Sequence, residues 1–290
     1  MSVRVGLIGH PLGHSISPHF QQAAFDAIGL DARYEAWDLP PEEVEEFIRG
    51  LRTPDALGAN VTIPYKEAAL RYVDRLHETA RFVGAINTIV NEGGHLAGFN
   101  TDVAGFQAAL KDVGFDARGV NAVVWGAGGA ARAVAWALVW RKATSITIVN
   151  RTAVRAARLR HDVSSTLTGG DAGGVRLRAS GADDPAAIGA LQVCDLVVHC
   201  TPVGMHGSDE PDATPFPVDA LNPRALVVDL VANPLQTPLT REAAAAGHRV
   251  IGGLPMLVHQ GAASFELWTR RVPPMAVMTA AARRAMAEVS

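Results

Sequence analysis

Three polar residues, Asn60, Thr62 and Lys66, close the run Gly58-Ala-Asn60-Val-Thr62-Ile-Pro64-Tyr-Lys66. If that run is a strand of an open α/β sheet, its carboxyl end is where such sheets bind ligands. A lysine there is most often a surface residue. Here, however, Asp102 of Asn100-Thr101-Asp102 lies where the chain passes into a second domain, and Asn87-Thr88 precedes it on a strand. A lysine and an aspartate meeting in an interdomain cleft can share and move a proton while amides and hydroxyls orient a polyol. Upstream, His14-Ser15-Ile16-Ser17-Pro18 puts the hydroxyls of Ser15 and Ser17 on one side of an extended segment just before a helix. Together they can grip a carboxylate, with helix-end N–H groups assisting. Ser17 is also the natural N-cap, a plainer role that does not exclude the first.

A second chemistry stands at Gly126-Ala127-Gly128-Gly129-Ala130-Ala131. Gly126, Gly128 and Ala131 fill the G-x-G-x-x-G/A template between a predicted strand and a predicted helix, the context that turns a weak motif into a dinucleotide site. The first glycine permits the tight turn, the second lets backbone approach a pyrophosphate, and the small third residue allows close packing. In an NAD site the following strand ends in a carboxylate about 20 residues beyond the turn. Asn150-Arg151-Thr152 stands there instead. Nothing in that segment repels a 2′-phosphate, and Arg151, Arg155 and the Thr152 hydroxyl offer donors for one. NADP(H) is therefore the favoured cofactor, against the plainer reading of Arg151 and Arg155 as a solvated helix face.

Positioning these groups requires an alternation of strands and helices. Strands are expected at Val3 to Ile8, Arg33 to Asp38 and Gly58 to Thr62, with helices after Ser17, from Pro41 to Arg52 and after Pro64. Ile86 to Val90 and His95 to Phe99 read as a hairpin turning at Gly93-Gly94. A helix from about Asp102 to Val113 leads into a second series: strands at Val120 to Trp125, Ser145 to Val149, Leu196 to Cys200 and Leu226 to Leu230, and a helix from Arg132 to Trp140. The glycine cluster at 169–174 reads as a surface loop, and from Met256 onward the pattern is helical, with Pro273-Pro274 starting the last helix. The fold class is thus α/β, with an N-terminal α/β substrate domain, a C-terminal Rossmann-type domain and a cleft between them. The expected boundaries are 1–101 for the first, joined by helices of 256–290, and 102–255 for the second.

Composition narrows the function. Apolar residues make up 48% and charged residues 19%, which places the chain in the globular range. With 26 Lys+Arg against 29 Asp+Glu, a net of −3, there is no basic surplus to neutralise phosphates, so nucleic acid is not an expected partner. No stretch approaches the roughly 18 apolar residues of a membrane span, and the start Met-Ser-Val-Arg runs straight into a strand pattern, so a cytoplasmic protein is expected. Cys194 and Cys200 read as two small buried thiols. The histidines His10, His14, His19 and His259 have no ligand spacing, so no metal is expected. Trp125, Trp136, Trp140 and Trp268 fall on apolar faces and are expected in the core.

Taken in order, the segments His14-Ser15-Ile16-Ser17-Pro18, Asn60-Val61-Thr62-Ile63-Pro64-Tyr65-Lys66, Gly84-Ala85-Ile86-Asn87-Thr88, Gly98-Phe99-Asn100-Thr101-Asp102, Gly126-Ala127-Gly128-Gly129-Ala130, Asn150-Arg151-Thr152 and Met256-Leu257-Val258-His259-Gln260 resemble the shikimate dehydrogenase family nearly end to end. The resemblance implies NADPH-dependent reversible reduction of 3-dehydroshikimate to shikimate, a step toward chorismate and the aromatic amino acids. It implies that Ser15 and Ser17 hold the ring carboxylate, that Lys66, Asn87, Thr62, Asp102 and Gln260 hold the ring hydroxyls, and that Lys66 with Asp102 relays the proton. It also places Leu230 and Gly253 near the nicotinamide, Glu78 near the cofactor, and the C-terminal helices back on the substrate domain. The expected partner is a small molecule, with a homodimer left open.

Two departures stand out. The family usually has tyrosine where Ala232 stands, a hydroxyl that helps hold the substrate carboxylate; its loss amounts to about 1–2 kcal/mol for one hydrogen bond to a charged group. It also has asparagine where His199 stands, for which a structural role is expected. Other readings are a quinate/shikimate dehydrogenase or paralogue acting on a related cyclohexane acid, an NADP enzyme on another substrate, and an NADP-binding regulatory protein that does not turn over. The last conflicts with the intact Lys66 and Asp102.

Overall fold

The computed structural model describes residues 2–13, 15–167 and 174–289. Two compact units emerge, Met1–Gly105 with Val258–Ser290, and Phe106–Leu257.

The first unit is built on a six-stranded sheet. Strand β1 (Val3–Gly9) is buried from Val5 onward and pairs in parallel with β2 (Ala32–Asp38) and β3 (Ala56–Val61). It is a central strand, and its residues from Val5 onward are buried on both faces of the sheet, so that part reads as an apolar run. The edge strand β2 instead alternates buried and exposed residues. Beyond β3 the order continues antiparallel through β5 (Thr88–Glu92) and β6 (His95–Phe99), with the short β4 (Arg75–Leu76) closing the edge. Helices α1 (Ser17–Ala27), α2 (Val44–Gly50), α3 (Glu78–Val83) and the beginning of α4 (Asp102–Asp112) connect these strands. Most of α9 (Gly253–Thr269) and all of α10 (Met275–Val289) return to this unit, where α10 packs against α1. Ile8, Ile48, Ile86, Ile89 and Leu96 lie at the centre of one core.

The second unit is a fully parallel sheet in the order β12-β11-β10-β7-β8-β9, made of β7 (Asn121–Trp125), β8 (Ser145–Asn150), β9 (Arg176–Gly181), β10 (Leu196–His199), β11 (Leu226–Asp229) and β12 (Arg249–Ile251). The helices α5 (Gly129–Trp140), α6 (Ala153–Leu167), α7 (Pro185–Val193) and α8 (Pro238–Ala245) join them. The order reverses between β7 and β10, the switch point where doubly wound sheets open a ligand crevice. One core face gathers Val123, Trp125, Val149, Leu191, Val197 and Phe216. No helix among the described residues is long and apolar enough to cross a membrane.

Several expectations are corrected. No α-helix follows Pro64; only a 3-10 turn, Ala68–Arg71, forms there. Tertiary contacts decide this, because the Tyr65 hydroxyl donates to the Leu39 carbonyl (2.6 Å) and the Lys66 carbonyl accepts the Ile86 N–H (2.8 Å). The helix expected from Pro41 begins at Val44, after a turn. Ser17 does not cap α1: Ile16 holds the N-cap position, in the helical region, and no side chain caps the helix. The segment around Ser15 is thus a turn and not extended. Of the two thiols expected to be buried, Cys194 at the end of α7 is, and Cys200 is half-buried; Trp140 is 38% exposed while Trp125, Trp136 and Trp268 are buried. Sequence patterning does not reveal β9 and α7. His14 and the glycine cluster up to residue 173 lie outside the described residues.

Candidate active site

In the first unit the end of β3, the end of β6 and helix α9 bring polar side chains into one network. Lys66 Nζ lies 2.6 Å from Asp102 Oδ2, with the lysine side chain 17% and the aspartate side chain 5% exposed. Asp102 is the first residue of α4, where an anionic side chain meets the positive end of the helix dipole. Its other oxygen accepts from Asn87 Nδ2 at 2.8 Å, and the same amide reaches Gln260 Oε1 at 3.2 Å. Asn87 is itself fixed, its side-chain Oδ1 accepting the Thr101 N–H at 2.8 Å. A buried carboxylate is thereby held by one ammonium and one amide, and the ammonium keeps a path to water through which a proton can be replaced.

Asn60 stands apart from this cluster. It is buried, accepts from the Tyr34 hydroxyl (2.8 Å) and donates to the Asn87 carbonyl (3.0 Å) and Ser264 Oγ (3.0 Å). Its polar atoms are satisfied inside the unit, so it ties strands to α9 and supports Asn87. Burial among these groups pushes the Tyr34 hydroxyl far above its ordinary pKa, so that it stays a neutral donor to Asn60. Ser264 on α9 was missed by sequence reasoning. It bonds Thr88 Oγ1 at 2.7 Å, and its only sequence signal is the spacing of four residues that puts it on the same helix face as Gln260. Ser15 and Ser17 share a turn in which Ser15 Oγ accepts the Ser17 N–H (3.4 Å), and Thr62 follows the end of β3 half-buried.

The second unit carries the glycine turn between β7 and α5. Gly126 has φ +129°, and a Cβ there would lie 3.0 Å from the Cys200 carbonyl oxygen, so the turn needs glycine against the strand across the switch point. At Gly128 a Cβ would meet nothing within 4 Å, which leaves the backbone open to a ligand. Gly128 is the N-cap of α5 and offers no side-chain cap, so the N–H groups of Gly129, Ala130 and Ala131 face outward for an oxyanion. Ala127 is buried under the turn. At the end of β8, Asn150 Nδ2 donates to the Thr152 carbonyl (3.1 Å), and Arg151, Thr152 and Arg155 are exposed. Arg151 has only a long contact to Glu210, at 3.8 Å. This donor set fits a phosphate-bearing dinucleotide. Leu230 follows β11, and a Cβ on Gly253 would sit 2.6 Å from its carbonyl oxygen. Glu78 lies exposed at the start of α3, in the first unit.

His199 is fully buried: its Nδ1 is 2.8 Å from Asp229 Oδ1 and its Nε2 is 2.5 Å from Thr201 Oγ1. Asp229 also accepts from Val231 N–H (3.0 Å) and the Thr237 hydroxyl (2.5 Å). The group is sealed inside the unit and organises the loop after β11. Among the described residues no three His, Cys, Asp or Glu side chains assemble as a metal site.

Known proteins resemble the chain along nearly its whole length. Residues 7–89 match the shikimate dehydrogenase substrate binding domain, residues 107–169 the shikimate / quinate 5-dehydrogenase model, and residues 253–283 the shikimate 5′-dehydrogenase C-terminal domain. A shikimate dehydrogenase (NADP(+)) of Symbiobacterium thermophilum is 45% identical over 285 residues, covering 97% of this chain and 94% of the relative. One from Methanopyrus kandleri is 44% identical over 276 residues, covering 94% and 92%. The crystal structure of shikimate 5-dehydrogenase from Thermus thermophilus in complex with NADP(H) and shikimate superposes with a TM-score of 0.85 at 39% identity, covering 98% of this chain and 99% of that one. Likeness of that extent, running through both units, means that the chain belongs to the shikimate dehydrogenase family of oxidoreductases.

Proposed function

We propose that the chain catalyses the reversible, NADP(H)-dependent reduction of 3-dehydroshikimate to shikimate, on the way to chorismate and the aromatic amino acids. The observation that carries the reading is the largely buried Lys66–Asp102 pair at 2.6 Å, with Asn87 and Gln260 joined to it. Gly126 to Ala130 would hold the dinucleotide, with Asn150, Arg151, Thr152 and Arg155 about its 2′-phosphate, and the bound cofactor would supply a hydride. Leu230 and Gly253 would lie at its nicotinamide end, and Glu78 belongs to the cofactor set by resemblance alone.

The chain's own groups do the rest. Ser15 and Ser17 hold the ring carboxylate, and Thr62, Asn87 and Gln260 orient the hydroxyls. As a hydride reaches the ketone carbon, negative charge grows on the 3-oxygen. The Lys66 ammonium stabilises that charge and donates a proton to the oxygen. Asp102 holds Nζ in place at 2.6 Å. In oxidation the same proton returns to Nζ.

An absorbance assay with shikimate or quinate, each paired with NADP⁺ or NAD⁺, tests this. Fast reduction of NADP⁺ with shikimate, lowered on the order of a hundred- to ten-thousandfold in Lys66→Ala, is the expected result. Silence in all four mixtures, or an undiminished variant, overturns it.

A further inference from the structure

At the other end of the parallel sheet, away from the glycine turn, a cavity of about 850 Å³ opens where β7, β8 and β9 begin. Pairing of Ser145 with Asn121 and Arg176, and of Thr147 with Val123 and Arg178, puts these residues on one sheet face, the one covered by α7. α7 is short and leaves the β8 and β9 side of that face uncovered. The walls that result differ in chemistry. On one side are Arg176 and Arg178 of β9, with Arg160 joining from α6; on the other are Gly189 and the exposed Val193 of α7. None of the three arginines has an ion pair or side-chain hydrogen bond among the described residues.

The floor points the same way. Thr147 is 8% exposed, lines the cavity, and its hydroxyl has no partner among the described residues. That hydroxyl is open to the cavity and free to donate to an occupant. Two carboxylates next to lining residues are already engaged: Asp195 accepts the Asn121 N–H at 2.8 Å, and Asp184 accepts the Ala186 N–H at 2.8 Å as the cap of α7. Neither makes an ion pair with Arg160, Arg176 or Arg178 among the described residues. Arg176 and Arg178 are two apart on a strand, about 6.6 Å between side-chain origins, so both guanidiniums can converge on one tetrahedral oxyanion.

We infer that this cavity is a second anion site, which binds a phosphate group, free or carried on a small apolar body lying against Gly189 and Val193. It lies at the opposite end of β7 from Gly126 and does not depend on how the dinucleotide turn is read.

Calorimetric titration of the full chain, saturated with NADP⁺ and held at constant ionic strength, tests the site with inorganic phosphate and with phenyl phosphate. Binding of either is expected, tighter for phenyl phosphate if the apolar wall is used. It should weaken at least tenfold in Arg176→Gln/Arg178→Gln and about threefold in Thr147→Val, with activity unchanged in both. Equal affinity for the two probes assigns the site to free phosphate. Heat that sodium chloride reproduces, that the variants leave unchanged, or that appears only without NADP⁺ overturns the inference. Absence of binding at millimolar probe overturns it too, and leaves the arginines as guards of an edge strand.

Discussion

Replacing Gly253 by alanine sets two effects of opposite sign against each other. Gly253 is the first residue of α9, where alanine is the better helix former by up to about 1 kcal/mol. Its Cβ, however, would lie 2.6 Å from the Leu230 carbonyl oxygen, the Val231 carbonyl carbon and the Val231 carbonyl oxygen. All three are backbone atoms, so no side chain can swing away. Restoring ordinary contact means moving one backbone about 0.8 Å, with overpacking of this kind worth roughly 1–3 kcal/mol. The move also strains the hydrogen bond from Gly253 N–H to the Val231 carbonyl, now 3.2 Å. The clash exceeds the propensity gain, and a net loss of about 1–3 kcal/mol is expected by urea unfolding. Because the displaced backbone carries Leu230, KM for NADP⁺ should rise several-fold while KM for shikimate changes little. Gly252→Ala is the control, since its Cβ would meet only the Leu235 carbonyl oxygen at 3.5 Å. If Gly253→Ala unfolds at the same urea concentration as the parent, the packing argument is wrong; if it is destabilised but binds NADP⁺ normally, the placement of Leu230 is wrong.

Asp102→Asn keeps the shape of the side chain but turns a donor toward Lys66. Stability should fall by about 1–3 kcal/mol and kcat by on the order of a hundredfold or more, read by unfolding and steady-state kinetics; a kcat within threefold of the parent would remove Asp102 from proton transfer. Ala232→Tyr should lower KM for shikimate, and an unchanged value would show that Ser15 and Ser17 already suffice. Burial, with Asp195 adding to it, pushes the Cys194 thiol up to about 12, and burial with Asp229 raises Cys200 as well. Both should resist alkylation at pH 8 in the native protein and react once it is unfolded, and stoichiometric labelling of the native protein would contradict this. The Arg52 hydrogen bond, and after it the Leu96 N–H, lowers Asp74 from 3.8 to about 2. A carboxyl depressed in the folded state stabilises fully above its unfolded pKa and ceases to do so as pH falls through the folded one. The stability gap between parent and Asp74→Asn should therefore be constant above about pH 5 and close towards pH 2; a gap that persists at pH 2 would mean that the ion pair is not its source.

The parts of the fold legible in the sequence are those whose local pattern and global position agree. The glycine turn follows an apolar strand and opens a helix, so Gly126 and Gly128 announce themselves. The hairpin at Gly93-Gly94 does so too. The segment after Pro64 misleads because its conformation is settled by partners far along the chain, Leu39 for the Tyr65 hydroxyl and Ile86 for the Lys66 backbone. Ser17 shows the same limit, since its type and place suit a cap while the turn set by Ser15 gives the cap position to Ile16. In the site, Lys66 and Asp102 could be paired on chemical grounds. Ser264 could not, because its bonds to Asn60 and Thr88 span 204 and 176 residues, and its spacing from Gln260 gives only a shared helix face.

His199 bears on how far a departure from the family pattern matters. It replaces an expected asparagine at the end of β10, and its ring lies between Asp229 and Thr201 with no exposure to water. Toward an ionised carboxylate Nδ1 must be the donor, since the carboxylate can only accept. Asp229 in turn accepts from the N–H of Val231, so the ring holds the carboxylate that holds the loop carrying Leu230. His199→Ala empties a buried site and leaves Asp229 short of a donor, a loss of about 3–5 kcal/mol by comparison with other broken buried pairs. His199→Asn restores a donor in less volume and should recover part of that loss, with KM for NADP⁺ following the same order across parent, asparagine and alanine. An alanine variant with parental stability and an unchanged KM would show that the loop after β11 is positioned without the ring, and that Gly253 alone sets the place of Leu230.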